Sequence, residues 1–217
     1  MAAPMKRMFP TWATHFSDVS DQIKETIDPR RDLLQLQCPI NSSKVLLLGI
    51  SESGKTALLF QYALSCAMDG MRVVFITHTK IDTMPLMVDG ASKPDHILMK
   101  QVHIMYFEDR DSLLKYLAGI HTSLSSPDAL IVDNLDYYVT HPKSSDHTAT
   151  IGNLCAFLVD AATFLTNQRS KSAADDSEGK VQQSCQILVS VSAPNLGEFP
   201  MESYYTYSYQ QYSEFKV

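Results

Sequence analysis

Short apolar runs and longer stretches of helical spacing alternate along the chain. The short runs are Val45-Leu46-Leu47-Leu48, residues 72–77 (Arg-Val-Val-Phe-Ile-Thr), 102–107, 129–132 (Ala-Leu-Ile-Val) and 186–191. Each is four to six residues long and nearly continuous, the pattern of a strand buried on both faces. Between them lie amphipathic stretches. Leu58, Leu59, Tyr62, Ala63 and Cys66 predict a helix over 56–69, with Gly70 placed for a left-handed cap. Leu113, Leu114, Leu117 and Ile120 predict a second helix, capped by Asp109 or Asp111. Ile151, Leu154, Cys155, Leu158, Val159, Ala162 and Leu165 predict a third over about 148–167. The connection carrying Pro85, Gly90 and Pro94, the stretch 141–147 and the Ser/Lys/Asp/Gln-rich stretch 168–184 read as polar loops. Strands alternating with helices, without hairpin signals, predict an α/β fold: a mostly parallel sheet with helices on both faces.

The ends differ from this middle. Residues 1–37 hold Lys6, Arg7, Lys24, Arg30 and Arg31, and Pro29 interrupts their one helical pattern, so they read as a solvated N-terminal arm. Residues 193–217 form a tyrosine-rich tail. Its Ser203-Tyr204-Tyr205-Thr206-Tyr207-Ser208-Tyr209 alternates with period two, as a terminal strand or partner-binding edge does. The core is expected over 38–192.

Composition narrows the classes. Apolar residues make up 45% of the chain, an ordinary globular value. No run reads as a membrane span, and residues 1–10 lack the apolar stretch of a signal peptide. The four cysteines, Cys38, Cys66, Cys155 and Cys185, form no C-x-x-C pair, which favours reduced thiols over disulfides or zinc. Cys66 and Cys155 read as core residues on apolar helix faces. The net charge of −6 requires any nucleic-acid contact to come from a local patch.

Candidate chemistry concentrates where the first strand meets the first helix. Gly49-Ile50-Ser51-Glu52-Ser53-Gly54-Lys55-Thr56 fits G-x-x-x-x-G-K-[ST], the P-loop, at every fixed position. Its glycines let backbone N–H groups turn inward around phosphate, and the helix that follows adds its positive end. In this pattern Lys55 reaches the β- and γ-phosphates of ATP, and Thr56 sets its hydroxyl on Mg²⁺. Asp133 closes the fourth apolar strand. A strand ending in an acid downstream of a P-loop is the Walker B arrangement, whose carboxylate serves the Mg²⁺ shell. A small-molecule kinase would need an arginine-rich lid, whereas Arg72, Arg110 and Arg169 are scattered.

These residues, with Leu46-Leu47-Leu48-Gly49, Ser53-Gly54-Lys55-Thr56-Ala57-Leu58-Leu59-Phe60, Val73-Val74-Phe75-Ile76-Thr77 and Leu130-Ile131-Val132-Asp133-Asn134-Leu135, resemble the RecA-like recombinase ATPases over roughly 44–192. More narrowly, the Gly-Lys-Thr-Ala-Leu-Leu-Phe run and Thr83-Met84-Pro85 resemble the RecA paralogue that partners the SWIM-type zinc-finger protein in the animal Shu complex. The resemblance implies a P-loop NTPase of RecA type and a nuclear DNA-repair accessory protein. Such a protein binds ATP and single-stranded DNA and, with its SWIM-type partner, helps a RecA-like recombinase and its paralogues form filaments in homologous recombination. It also exposes departures. The family's water-orienting glutamate past strand two aligns with Thr79, and Asn134 offers no carboxylate after Asp133. Glu52 and Glu108 remain as acids to approach the γ-phosphate. A weak, DNA-stimulated ATPase is expected. The alternative is a non-catalytic partner-binding module in which ATP is a structural ligand.

Overall fold

The structure is a computed structural model that describes residues 43–85, 94–123, 126–143, 146–173 and 184–192. The N-terminal arm and the tyrosine-rich tail lie outside the described residues.

Five strands form one sheet: β1 (Lys44–Gly49), β2 (Val73–Thr77), β3 (Val102–Tyr106), β4 (Ala129–Val132) and β5 (Gln186–Ser192). Their order is β1-β5-β4-β2-β3, and every neighbouring pair is parallel. Parallel neighbours need crossovers, which helices supply. They are α1 (Lys55–Met68), α2 (His96–Met99), α3 (Arg110–Ala118) with a 3₁₀ turn at Ile120–Thr122, α4 (Leu135–Thr140) and α5 (His147–Ala173). This is the expected α/β class, a P-loop NTPase fold of RecA type.

Alternation along each strand makes two cores. Ala129 and Ile131 of β4 join Val73, Phe75 and Leu188 beneath Leu59, Tyr62, Ala63 and Cys66 of α1. Leu130 and Val132 face the other way, with Val74, Ile76 and Val189, against α3, α4 and α5. The all-apolar run of β4 is thus two half-faces, each serving a different helix layer.

Helix ends follow local chemistry. Gly70 takes φ 76° past α1, with its N–H on Ala67 O at 2.9 Å and the Met71 N–H on Cys66 O at 3.0 Å. Those paired bonds are the left-handed stop that Gly70 predicts. Of the two candidate caps for α3, Asp109 is the one: its Oδ1 accepts the Ser112 N–H at 2.7 Å.

Several expectations are corrected. The stretch 168–184 is not loop from its start, because α5 runs on to Ala173. Arg169 anchors this extra turn by pairing with Asp128 at 3.0 Å and donating to Pro127 O. The connection after β2 contains α2, capped by Asp95. The helix α4 was hidden by its shortness, since one and a half turns carry little periodicity. Cys155 is only partly buried, unlike Cys66. The expectation that no run has the makings of a membrane span also needs correction: His147–Ser170 has the length and composition of one. In this fold Ile151, Leu154, Leu158 and Leu165 of that helix are buried in the protein core, which accounts for its apolar character.

Ile131 is fully buried in a central strand. Ile131→Ala is expected to lower stability by about 2–5 kcal/mol, through lost transfer energy plus a cavity. Urea unfolding followed by circular dichroism measures it.

Candidate functional site

All five strands run the same way, so their carboxyl ends share one edge, where ligands bind in open α/β sheets. The loop 50–54 leaves β1 there. Glu52 at φ 58° and Gly54 at φ 81° give its turn two left-handed residues. Gly49 needs to be glycine for space: a Cβ there would stand 2.7 Å from Ser53 Oγ, which donates to Ile50 O at 2.8 Å. Ile50, Ser51, Glu52, Ser53 and Gly54 are all exposed.

Helix α1 starts at Lys55 with no side-chain cap and no acid in its first turn. The orphan N–H groups of that turn, with the positive end of the helix, suit an anion. Lys55 is only 6% exposed. Its Nζ curls over the loop, donating to Ile50 O at 2.5 Å and Gly49 O at 3.3 Å, with Ser53 Oγ at 3.4 Å. Carbonyls carry only partial charge, so this buried ammonium retains a strong attraction for a phosphate oxygen.

Asp133 stands across the edge and is 2% exposed. Thr56 Oγ1 donates to its Oδ2 at 2.7 Å, and Ser190 Oγ donates to its Oδ1 at 2.7 Å. Ser190 Oγ also accepts the Asn134 N–H at 2.8 Å. Asn134 turns the chain at φ 53° into α4, a left-handed conformation that asparagine tolerates better than most residues. Thr56 and Asp133, 77 residues apart, thus present neighbouring oxygens of the kind Mg²⁺ selects.

The structure brings Lys55, Thr56 and Asp133 to one place. Of the other two acids, Glu52 lies in the loop before Lys55 and Glu108 past the end of β3. Glu52 and Glu108 are exposed, and among the described residues neither carboxylate is bonded to that group. Thr79 is exposed, its Oγ1 2.9 Å from His78 Nε2.

Sequence reasoning missed four residues at this edge. Ser190 was visible only as a polar residue within an apolar strand. Asp136, in the first turn of α4, accepts the Ser192 N–H on Oδ1 at 2.8 Å. His78 stacks on Tyr137, ring centroids 3.8 Å apart, and Tyr137 stacks on His141 at 4.3 Å. Tyr137 OH donates to Glu108 O at 2.9 Å, tying α4 to the exit of β3. Burial holds the His78 imidazole below its ordinary pKa, against the pull of Asp133 and Asp136. Burial also pushes the Asp136 carboxyl above its ordinary value. The Ser192 N–H, its own N–H and Lys55 oppose that rise, and Asp133 adds to it.

A P-loop on a parallel sheet, with a buried acid reaching its threonine from a strand two places away, defines a P-loop NTPase domain of RecA type. Similar proteins agree with the resemblance carried by the motifs. The chain is 32% identical to the mouse protein ATPase SWSAP1 over 126 residues, which are 57% of this chain and 44% of that protein. It is 29% identical to human ATPase SWSAP1 over 132 residues, 60% of this chain and 56% of that protein. The chain therefore spans about half the length of the curated relatives it matches. No family model matches it.

Two outcomes test this arrangement without any ligand. Ser190→Ala strips a buried carboxylate oxygen and a backbone N–H of their partner, so a loss of about 1–3 kcal/mol is expected in urea unfolding. Asp136 titrates higher in the folded chain than in the unfolded one. Its contribution is fully present below the ordinary carboxylate value, about 4, and is lost as pH rises through the raised folded value. Asp136→Asn should therefore be more stable than the parent at neutral pH, with the difference vanishing in acid. Paired unfolding curves across that range measure it.

Proposed function

We propose that this chain binds ATP with Mg²⁺ and serves, with a SWIM-type zinc-finger partner, as a nuclear accessory protein that binds single-stranded DNA and supports RecA-like recombinase filaments in homologous recombination. The observation that carries the nucleotide reading is the meeting of Lys55, Thr56 and Asp133 around an uncapped helix N-terminus. Gly49 to Thr56 would cradle the phosphates, Lys55 would neutralise the β- and γ-phosphates, and Thr56 and Asp133 would hold Mg²⁺. The metal, once bound, supplies positive charge to the phosphate oxygens. The rest of the proposal leans on the resemblance to the ATPases named above, and on a composition that leaves DNA affinity to local patches.

A second reading has its own observation. Thr79, past β2, is exposed and brings no carboxylate, so ATP could act as a structural ligand that stabilises the partner-binding fold by mass action.

The experiment is titration with ATP·Mg²⁺, then with single-stranded DNA at two salt concentrations, with and without the SWIM-type protein. Lys55→Ala should weaken ATP binding by about 1.5–3 kcal/mol, the worth of a charge-assisted contact. DNA binding should be stronger in the complex and fall steeply with salt. Unchanged ATP affinity in folded Lys55→Ala would refute the nucleotide assignment. Tight DNA binding by the lone chain, indifferent to the partner, would refute the partnership.

A further inference from the structure

Asp136 is an acid at the carboxyl edge of the sheet that stands apart from the Lys55, Thr56 and Asp133 group. It sits in the first turn of α4, three residues past Asp133. Its Oδ1 is fixed by the Ser192 N–H at 2.8 Å. Ser192 is in turn the register partner of Gly49, the first residue of the loop. Strand pairing therefore sets this carboxylate alongside the mouth of the P-loop. Electrostatics agree with that placement, because Asp136 feels both Lys55 and Asp133. The side chain is partly buried, neither sealed in the core nor free in solvent. Glu52, within the loop, and Glu108, past β3, are by contrast exposed.

We propose that Asp136 is a catalytic residue, taking the proton of the water that attacks the γ-phosphate of a nucleoside triphosphate held at the P-loop. This rests on the nucleotide reading of the same site. The water oxygen forms a bond to the γ-phosphorus while the bond from that phosphorus to the β,γ-bridging oxygen breaks. The bonding pair leaves with the nucleoside diphosphate. The water's proton passes to the Asp136 carboxylate and from there to solvent, giving diphosphate, inorganic phosphate and one proton. The Ser192 N–H keeps the carboxylate oriented throughout. Burial, which raises its proton affinity, brings it nearer the range a general base works in.

The test is single-turnover hydrolysis of ATP·Mg²⁺ by the full chain, with ATP affinity measured separately on each variant. Asp136→Asn keeps an oxygen for the Ser192 N–H and removes the base. It is expected to slow hydrolysis by about 10²–10⁴-fold while ATP affinity stays within about twofold. Ser192→Pro, which deletes the orienting N–H but leaves the carboxylate, supplies an independent arm and is expected to slow hydrolysis as well. Hydrolysis at the parent rate in either folded variant overturns the proposal. So does a parent chain that binds ATP through Lys55 and turns none over, and in that case the nucleotide reading stands while this one falls. A parent chain that binds no ATP sinks both.

Discussion

The site depends on one buried carboxylate being held from two sides. Asp133 receives a hydroxyl from Thr56 on α1 and another from Ser190 on β5, each at 2.7 Å. A carboxylate this deeply buried is costly to desolvate, and its two donors compensate for water. Its backbone is held as well: the Asp133 N–H donates to Ile76 O at 2.8 Å, continuing the β2–β4 ladder past its last pair. The acid, the P-loop helix and the strand between them are therefore fixed by a single hydrogen-bonded group.

Sheet order explains why three separate pieces of chain must meet. β5 lies between β1 and β4, although it is the last strand in the described sequence. Among the described residues β5 is the strand that pairs with β1, and it also brings Asp133 one of its two donors. The site therefore rests on contacts distant in sequence. The placement also gives β5 a mixed character. Ile187, Leu188, Val189 and Val191 fill the two cores, while Ser190 and Ser192 turn polar groups toward Asp133, Asn134 and Asp136.

Legibility followed the strength of local signals. The strands were plain, because buried parallel strands are continuous apolar runs whatever their neighbours. Gly70 and Asp109 marked helix ends through chemistry confined to a few residues. The P-loop could be recognised because backbone shape demands glycines at fixed spacing. The helix α4 could not, since six residues show no clear period and its contacts are tertiary: Tyr138 is buried and donates to Phe107 O, and Tyr137 stacks between two histidines. Ser190 and Asp136 were silent for a related reason. Their significance lies in the pairing of β5 with β1 and β4, and nothing in Gln-Ile-Leu-Val-Ser-Val-Ser states which strands will flank it.

Polar residues buried in an apolar strand also separate the two ends of the sheet. At the amino end of β5, Gln186 is buried and accepts from Tyr62 OH of α1. That bond joins a strand to the helix covering it, and Cys66 Sγ of the same helix also reaches Gln186 Oε1 at 4.0 Å, so it reads as an anchor. At the carboxyl end, Ser190 joins no covering helix. It bridges an acid carboxylate to the backbone N–H of the next residue, and the acid in turn meets the threonine of the P-loop. Ser190 is fully buried, yet its hydroxyl serves Asp133 and Asn134 rather than the packing. The serine is explained by the acid it holds rather than by the sheet it belongs to. The same test, whether a buried polar group serves the packing or the edge, puts Asp136 with Ser190 and Gln186 with the core.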